Sequence, residues 1–208
     1  MSGDRLDPAR TALLLFDTLN GHLKASDRTL REEYREPVAN MGRVLDSARR
    51  AGSMVAYAVA NHRADNGTGP RQRTDTDNRM RPIAPTDPDP RPVVVGGTWE
   101  AQVIDELAPR PDDFVVPKYR WSAFFGTYLD LALRAQGIGT VVLVGGATDI
   151  GVASTAFAAR DLGYDLVIVR DACTANEPDN HEQLMRRVFP RMSRVRSTDD
   201  VVRMFSSR

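Results

Sequence analysis

The sequence predicts an α/β fold, a three-layer α/β/α sandwich around a mainly parallel sheet of roughly six strands. Short apolar runs such as TALLLFD, from Thr11 to Asp17, do not alternate with polar residues. Runs of this kind are typical of strands that are buried on both faces, as in a parallel sheet. Segments with helical periodicity separate these runs, which is the pattern of helices that cross over a parallel sheet.

The first half of the chain contains three of the predicted strands. After Thr11 to Asp17, a long charged helix is predicted from Thr29 to Gly52, where the glycine favours a helix stop. The apolar run SMVAYAVA, from Ser53 to Ala60, predicts the second strand. A short helix from Thr98 to Pro109 and a strand from Asp113 to Lys118 follow.

The second half continues the alternation of helices and strands. Its predicted elements are a helix at 127–137, a strand at 140–146, a helix at 151–163, a strand at 164–172, a helix at 180–192, and a short strand and helix within 193–205. A length of 208 residues favours one domain, residues 1–208. Residues 61–97 are a long excursion rich in Pro, Asp, Asn, Arg and Gly, either a functional loop or an insert disordered between Asp65 and Arg79.

Composition excludes several classes of protein. The sequence has 28 Lys and Arg residues against 28 Asp and Glu residues, so its formal charge is zero. Nucleic-acid-binding proteins usually have a basic excess, so we expect no nucleic-acid partner. No apolar stretch approaches the about 18 residues of a membrane span, and the polar N-terminus has no signal-peptide core. With a single cysteine, these features predict a cytoplasmic protein with no membrane contact.

Three predicted strand ends carry residues suited to chemistry. Asp17 ends the first strand, Lys118 ends the strand before YRWSAFFGT, and the turn at 145–151 joins a strand to a helix. Such ends meet at one edge of a parallel sheet, where a carboxylate and an ammonium can act as an acid and a base. Taken singly, Asp17 could be a turn cap and Lys118 a surface lysine. The backbone N–H groups of Gly151, Val152 and Ala153 are expected to be unpaired and to bind an anion or oxyanion.

Three blocks occur in the order of the isochorismatase-like hydrolase superfamily: Asp17, PKYRWSAFFGTYLD and VGGATDIGVASTAFAARDLGYDLVIVRDA. From Thr11 to about Val202 the chain resembles this group, which includes nicotinamidases and N-carbamoyl amidohydrolases. In its cysteine-dependent members the nucleophilic cysteine stands where this sequence has Gly151. The resemblance therefore implies that a thioester route is closed. It also implies a cis peptide bond between Gly146 and Ala147.

KYRWSAFF and DIGVAST resemble the isochorismatases and the aminodeoxyisochorismate hydrolase, which also have glycine at this position. The resemblance implies cleavage of a vinyl ether. Asp17 would protonate the vinyl carbon, water would attack the oxocarbenium, and Gly151 would make room. The sequence departs from that branch at two places. The branch has His where this sequence has Asp149, and it has a Gln-Pro-like pair after the second strand, where this sequence has Ala60-Asn61-His62. Two alternatives stay open: an amidase or N-carbamoyl amidohydrolase that activates water directly, and an inactive binding relative.

The expected substrate is a small, anionic metabolite. Arg120 would either hold its carboxylate or form a structural salt bridge. Aromatic side chains after Lys118 would line the pocket. We expect a homodimer or homotetramer. The predicted substrate-binding or oxyanion residues are Asn20, Arg120, Trp121, Phe125, Gly146, Ala147, Gly151 and Val152.

No metal and no cofactor is expected. His62 with Asp65 is too small a set for a metal, and the glycines of GGATDIG do not fit a dinucleotide fingerprint. Cys173 is expected to be a buried, unreactive thiol. His22 and His181 are expected to be surface or capping residues.

Overall fold

The computed structural model describes residues 4–69 and 94–206, which contain a six-stranded sheet in the order β3-β2-β1-β4-β5-β6. All neighbouring strands run parallel, and the strand order reverses between β1 and β4. In open α/β sheets, ligands bind beyond the carboxyl ends of the strands at such a reversal. The predicted fold class is confirmed. The strands are Thr11–Phe16 (β1), Met54–Ala60 (β2), Phe114–Lys118 (β3), Thr140–Gly146 (β4), Asp165–Thr174 (β5) and Arg194–Arg196 (β6).

The helices lie between the strands along the chain. The α-helices are Asn20–Leu23 (α1), Arg35–Ala51 (α2), Leu129–Ala135 (α3), Ala153–Asp161 (α4), Pro178–Gln183 (α5) and Thr198–Ser206 (α6). Within the described ranges, none of them has the length and apolar character that crossing a membrane requires. Single 3₁₀ turns lie at Pro8–Arg10, Glu32–Tyr34, Trp99–Ala101, Asp105–Leu107 and Phe189–Arg191.

Two helical layers cover the sheet because its central strands are apolar on both faces. Leu13 and Leu15 of β1 pack in one core cluster with residues of α2 and α6. The alternate residues, Leu14 and Phe16 among them, pack in a second cluster with residues of α3 and α4. The side chain of Phe16, the last residue of β1, therefore lies on the same side of the sheet as α4.

The helix predicted at 98–109 is wrong, because the segment forms two separate 3₁₀ turns. Its backbone groups pair with the chain after β1. The N–H of Ile104 donates to the carbonyl of Thr18 (3.0 Å), and the N–H of Asn20 donates to the carbonyl of Gln102 (2.9 Å). These pairings take groups that a continuous helix would need for its own ladder.

Three other predicted helices have different bounds. α2 begins at Arg35 after a 3₁₀ turn, and α4 begins only after a π-helical turn at Thr148–Val152. The helix predicted at 180–192 is divided into α5, a π-helical turn at Leu184–Val188 and a 3₁₀ turn. Pro190 lies in that last turn and has no N–H to continue an α-helix.

The two described ends of the predicted excursion lie side by side. His62 forms a parallel bridge with Val95, and its carbonyl accepts from the N–H of Gly96 at 2.8 Å. Residues 65–69 form turns, with the N–H of Gly67 donating to the carboxylate of Asp65 at 2.9 Å. The rest of the segment predicted to be disordered, residues 70–79, lies outside the described residues.

Candidate active site

Asp17 and Lys118 are in direct contact, with 2.7 Å between the carboxylate Oδ2 and the ammonium Nζ. Asp17 follows β1 and Lys118 ends β3, and β2 lies between these two strands. The side chains are 11% and 6% exposed. Lys118 is therefore not a surface lysine, and the structure brings together the acid and the base that the sequence singled out.

The backbone at Asp17 directs its side chain across the end of β2. Asp17 has a φ of 48°, a left-handed conformation that aspartate tolerates better than most residues. Its N–H donates to the carbonyl of Ala58 at 2.9 Å, and its Oδ1 accepts the N–H of Ala60 at 2.9 Å. The carboxylate thus has one oxygen on the backbone of β2 and the other on the ammonium.

The Lys118 ammonium lies over the face of the Phe16 ring, 4.4 Å from the ring centroid. It also approaches the carbonyl of Arg120 at 3.5 Å. A cation is attracted to the negative face of an aromatic ring, most strongly where water is excluded. Three groups thus contact the ammonium: a carboxylate, a carbonyl and an aromatic face.

Gly151 lies against the edge of the same aromatic ring. A Cβ atom placed on Gly151 would be 2.1 Å from Cε1 and 2.4 Å from Cζ of Phe16. A real Cβ atom essentially never comes within 3.0 Å of a heavy atom of a residue that is not its neighbour in the chain. The space in the Cβ direction of Gly151 therefore holds the Phe16 ring, and the idea that this glycine makes room for substrate stays a prediction.

The turn between β4 and α4 contains the cis peptide bond Gly146–Ala147, as predicted. The expectation of free N–H groups after it is wrong for two residues. The N–H of Val152 donates to the carbonyl of Ala147 at 3.1 Å, and the N–H of Ala153 donates into the turn at Thr148 and Ile150. The π-helical turn consumes these donors, so Val152 cannot serve as an oxyanion donor in this geometry.

Arg120 ties the loop after β2 to the segment after β3. Its Nη1 donates to the carbonyls of Thr68 (2.7 Å) and Tyr119 (2.6 Å). Within residues 4–69 and 94–206, Arg120 forms no salt bridge, so the structural ion pair considered above is not found there. Trp121 and Phe125 follow on the same loop and are 44% and 69% exposed.

Asn20 is buried, and its side-chain amide donates to the carbonyl of Trp99 at 3.0 Å. This bond holds the segment after the excursion against α1. The amide oxygen Oδ1 of Asn20 and the hydroxyl of Thr18 are buried without a hydrogen-bond partner among the described residues. The contact with Trp99 gives Asn20 a structural role, and its substrate-binding role stays a prediction.

His62 is a site residue that the sequence analysis did not select. It lies two residues beyond Ala60, its Nδ1 is 3.3 Å from the hydroxyl of Thr68, and its ring meets Tyr119 edge-on. Burial lowers the pKa of His62, and the positive charges of Lys118 and Arg120 lower it further. His62 is therefore held neutral beside the ion pair at neutral pH.

His181, which was expected to be a surface or capping residue, is half-buried. Its Nδ1 lies 3.0 Å from the hydroxyl of Thr148, which also lies 2.9 Å from the carbonyl of Thr174. The neighbouring Asn180 donates its side-chain amide to Asp149 Oδ2 at 2.8 Å. These contacts fasten α5 to the turn that follows β4.

Cys173 and Asp65 both lie outside the ion pair of Asp17 and Lys118. Cys173 lies inside β5, fully buried, and burial raises the pKa of its thiol to about 12. Asp65 binds Arg63, with 2.6 Å between the carboxylate and Nη2. In the part of the chain that the structure describes, no three His, Cys, Asp or Glu residues are grouped as a metal site.

Comparison with known proteins gives consistent matches. Residues 11–200 match the family described as Isochorismatase domain. The chain is 31% identical over 201 residues to the uncharacterized isochorismatase family protein YwoC of Bacillus subtilis, covering 94% of both. It is 32% identical over 186 residues to the ureidoacrylate amidohydrolase RutB of Agrobacterium fabrum, covering 86% of this chain and 82% of that one. A solved isochorismatase family protein from Burkholderia thailandensis matches with a TM-score of 0.82 at 28% identity, covering 98% and 99%.

Proposed function

Because the chain belongs to the isochorismatase family of hydrolases, we propose that it hydrolyses a small, anionic metabolite by proton transfer through Asp17 and Lys118. No covalent enzyme intermediate is formed. The contact between the two side chains, 2.7 Å, is the observation that carries this proposal. A buried carboxylate–ammonium pair at the carboxyl ends of parallel strands is costly to maintain for packing alone.

The candidate nucleophiles support a route without a covalent step. Position 151 has no side chain, and the thiol of Cys173 is buried with a pKa raised to about 12. The thiolate is the reactive form of cysteine, and so little of it exists at neutral pH that Cys173 cannot attack a substrate. Water is then the nucleophile, and the protein's part is to move protons and to hold charge.

The favoured reaction is hydrolysis of a vinyl ether. Asp17, in its carboxylic acid form, transfers a proton to the terminal vinyl carbon, and the electrons of the double bond form the new C–H bond. Water adds to the resulting oxocarbenium carbon and returns a proton to Asp17. The hemiketal hydroxyl then gives up its proton to the leaving oxygen as the C–O bond breaks, giving a ketone and an alcohol. Lys118 and Arg120, whose positive charges both act on His62, supply the positive charge that attracts an anionic substrate.

Hydrolysis of a C–N bond is the second candidate, and two observations favour it. The relative RutB is named a ureidoacrylate amidohydrolase. Asp17 also accepts from both Lys118 and the N–H of Ala60, so its carboxylate form is well placed to take a proton from water. The two candidates use the same pair of residues and differ in their products.

A product assay separates these candidates. The purified protein is incubated with isochorismate and with a panel of amides, N-carbamoyl compounds and ureidoacrylate, and pyruvate and ammonia are measured. Pyruvate release that is lost in Asp17→Asn supports the vinyl-ether reaction, and ammonia release that is lost in the same variant supports C–N hydrolysis. Turnover that persists unchanged in Asp17→Asn overturns the proposed mechanism for both. An inactive binding relative would bind members of the panel and release neither product.

A further inference from the structure

Phe16 occupies the place of a nucleophile's side chain. It is the last residue of β1, 1% exposed, and pairs in register with Gly145 of β4. From there its ring reaches the turn that contains Gly151, where Cε1 and Cζ stand 2.1 and 2.4 Å from the position of a Cβ at that residue. Its Cδ1 is farther away, at 3.1 Å. A side chain at position 151 and the outer half of this ring therefore cannot coexist.

The face of the same ring contacts the ammonium of Lys118, 4.4 Å from the centroid. That ammonium is 2.7 Å from Asp17, so one side chain borders both the nucleophile position and the ion pair. We propose that Phe16 is a positioning residue that excludes a nucleophilic side chain at position 151 and holds the Lys118 ammonium against Asp17. Phe16 thereby determines which chemistry this site performs.

The lysine needs such a holder because its side chain is flexible. An ammonium on four rotatable bonds loses conformational entropy when it is fixed, and its carboxylate partner alone leaves it free to turn. Nζ lies over the aromatic face, the carbonyl of Arg120 is 3.5 Å from it, and Asp17 completes the set. The ring is itself immobilised because it lies in the core cluster below α4.

Steric exclusion is tested by a double-mutant cycle that needs no substrate. Phe16→Leu removes the ring atoms nearest to position 151 and keeps those up to Cδ. Gly151→Ala is made in the wild-type chain and in Phe16→Leu, and thermal unfolding is followed for all four proteins. We expect Gly151→Ala to lower Tm by about 4–8 °C in the wild type and far less in Phe16→Leu. Equal losses in the two backgrounds would overturn the exclusion.

Lysine-specific NMR tests the contact with the ammonium. Lys24 and Lys118 are the two lysines of the sequence, so a sample labelled with ¹³C at lysine Cε gives two signals, assigned by Lys118→Arg. We expect the Lys118 protons to be shifted upfield by the ring current in the wild type and to return toward ordinary values in Phe16→Leu. Phe189→Leu is the matched control, since Phe189 is buried in the same core cluster and should leave the Lys118 signal in place.

An unshifted Lys118 signal in the wild type would by itself overturn the positioning role, even where Phe16→Leu did not fold. The statement that Phe16 determines which chemistry this site performs rests on the proposed function. The double-mutant cycle and the NMR measurement do not. Both use the whole chain without substrate, so a protein that hydrolyses nothing in the product assay still gives a clear result for Phe16.

Discussion

Asp17 and Lys118 meet above the end of a strand to which neither belongs. The carboxyl end of β2 lies between them, and its Ala60 N–H donates to Asp17 Oδ1 while the next N–H, of Asn61, donates to the carbonyl of Lys118. Through these two hydrogen bonds the end of β2 fixes the distance between Asp17 and Lys118. Removal of either charged side chain leaves the other buried without its partner.

Asp17→Asn should reduce turnover of the true substrate by at least roughly 10²–10⁴-fold, because general acid–base catalysis contributes that much. The variant should also lose stability, since breaking a buried ion pair costs about 3–5 kcal/mol. Lys118→Ala should lower turnover similarly and weaken binding of an anionic substrate. Initial rates and calorimetric binding on each variant check these expectations.

The double variant Asp17→Asn/Lys118→Met separates stability from catalysis. It removes both charges, so the free energy of unfolding should recover relative to Asp17→Asn alone. Activity should stay as low as in the single variant. Recovery of activity together with stability would mean that Asp17 is only a structural cap.

Gly151→Cys should not produce an amidase. The new Cβ would collide with the Phe16 ring, and overpacking a buried site typically costs about 1–3 kcal/mol. Ammonia release from the amide panel and the Tm of the variant are the measurements. The prediction fails if the variant gains ammonia release while its Tm equals that of the wild type.

Gly145→Ala should be far more damaging than an ordinary glycine substitution. Gly145 has a φ of 118°, and a Cβ there would lie 2.1 Å from the backbone oxygen of Phe16, which cannot move without breaking the sheet. We expect a loss above about 4 kcal/mol or no folded protein. The matched control is Gly42→Ala inside α2, where the nearest atom is 3.9 Å away and a gain of about 0.5–1 kcal/mol is expected. Denaturant unfolding compares them.

Cys173 should resist alkylation in the folded protein. Its thiol is buried within β5, 3.9 Å from the carbonyl of Leu143, and has a pKa raised to about 12. Iodoacetamide should label it only after denaturation, as read by intact mass. If iodoacetamide labelled Cys173 in the native protein as fast as it labels a free thiol in solution, the burial of Cys173 would be contradicted.

Acid should destabilise the protein through two histidines. Burial lowers the pKa of His62 and of His181 below 6.5 in the folded protein. At a pH between the folded-state and the unfolded-state pKa of each histidine, the unfolded chain therefore binds more protons than the folded chain. The contribution of these two histidines to the free energy of unfolding should be fully present above about pH 6.5 and should fall as the pH drops toward their folded-state pKa values. Thermal unfolding from about pH 8 to pH 5.5 checks the slope, which His62→Gln/His181→Gln should flatten.

The alternation of apolar runs and helical segments was sufficient to predict the parallel sheet, since strands buried on both faces leave a clear pattern. The short helix predicted at 98–109 failed for a non-local reason. Its backbone pairs with Thr18 and Asn20, which lie far away in sequence, and local periodicity contains no information on such partners.

The candidate site shows the same division. Asp17 and Lys118 could be selected because strand ends carrying opposite charges stand out. Lys118 has a further signal, because the chain uses arginine for all its basic residues except two lysines, and both lysines are buried. Phe16 could not be selected from its own strand, where a large apolar residue is ordinary. Its role depends on Gly151, and only the packing of β1 against the turn after β4 connects them.

The strand that carries Lys118 is also an outer edge of the six-stranded sheet, and that edge is a poor template for a further strand. The carbonyl of Lys118 faces β2, so the alternating residues Val115 and Pro117 face outward. Pro117 has no N–H to offer, and the carbonyl of Val115 already accepts the hydroxyl of Tyr128 at 2.6 Å. An approaching β-strand from another chain would lack a donor at Pro117 and would compete with Tyr128 for the carbonyl of Val115, which weakens edge-to-edge pairing beside the ion pair.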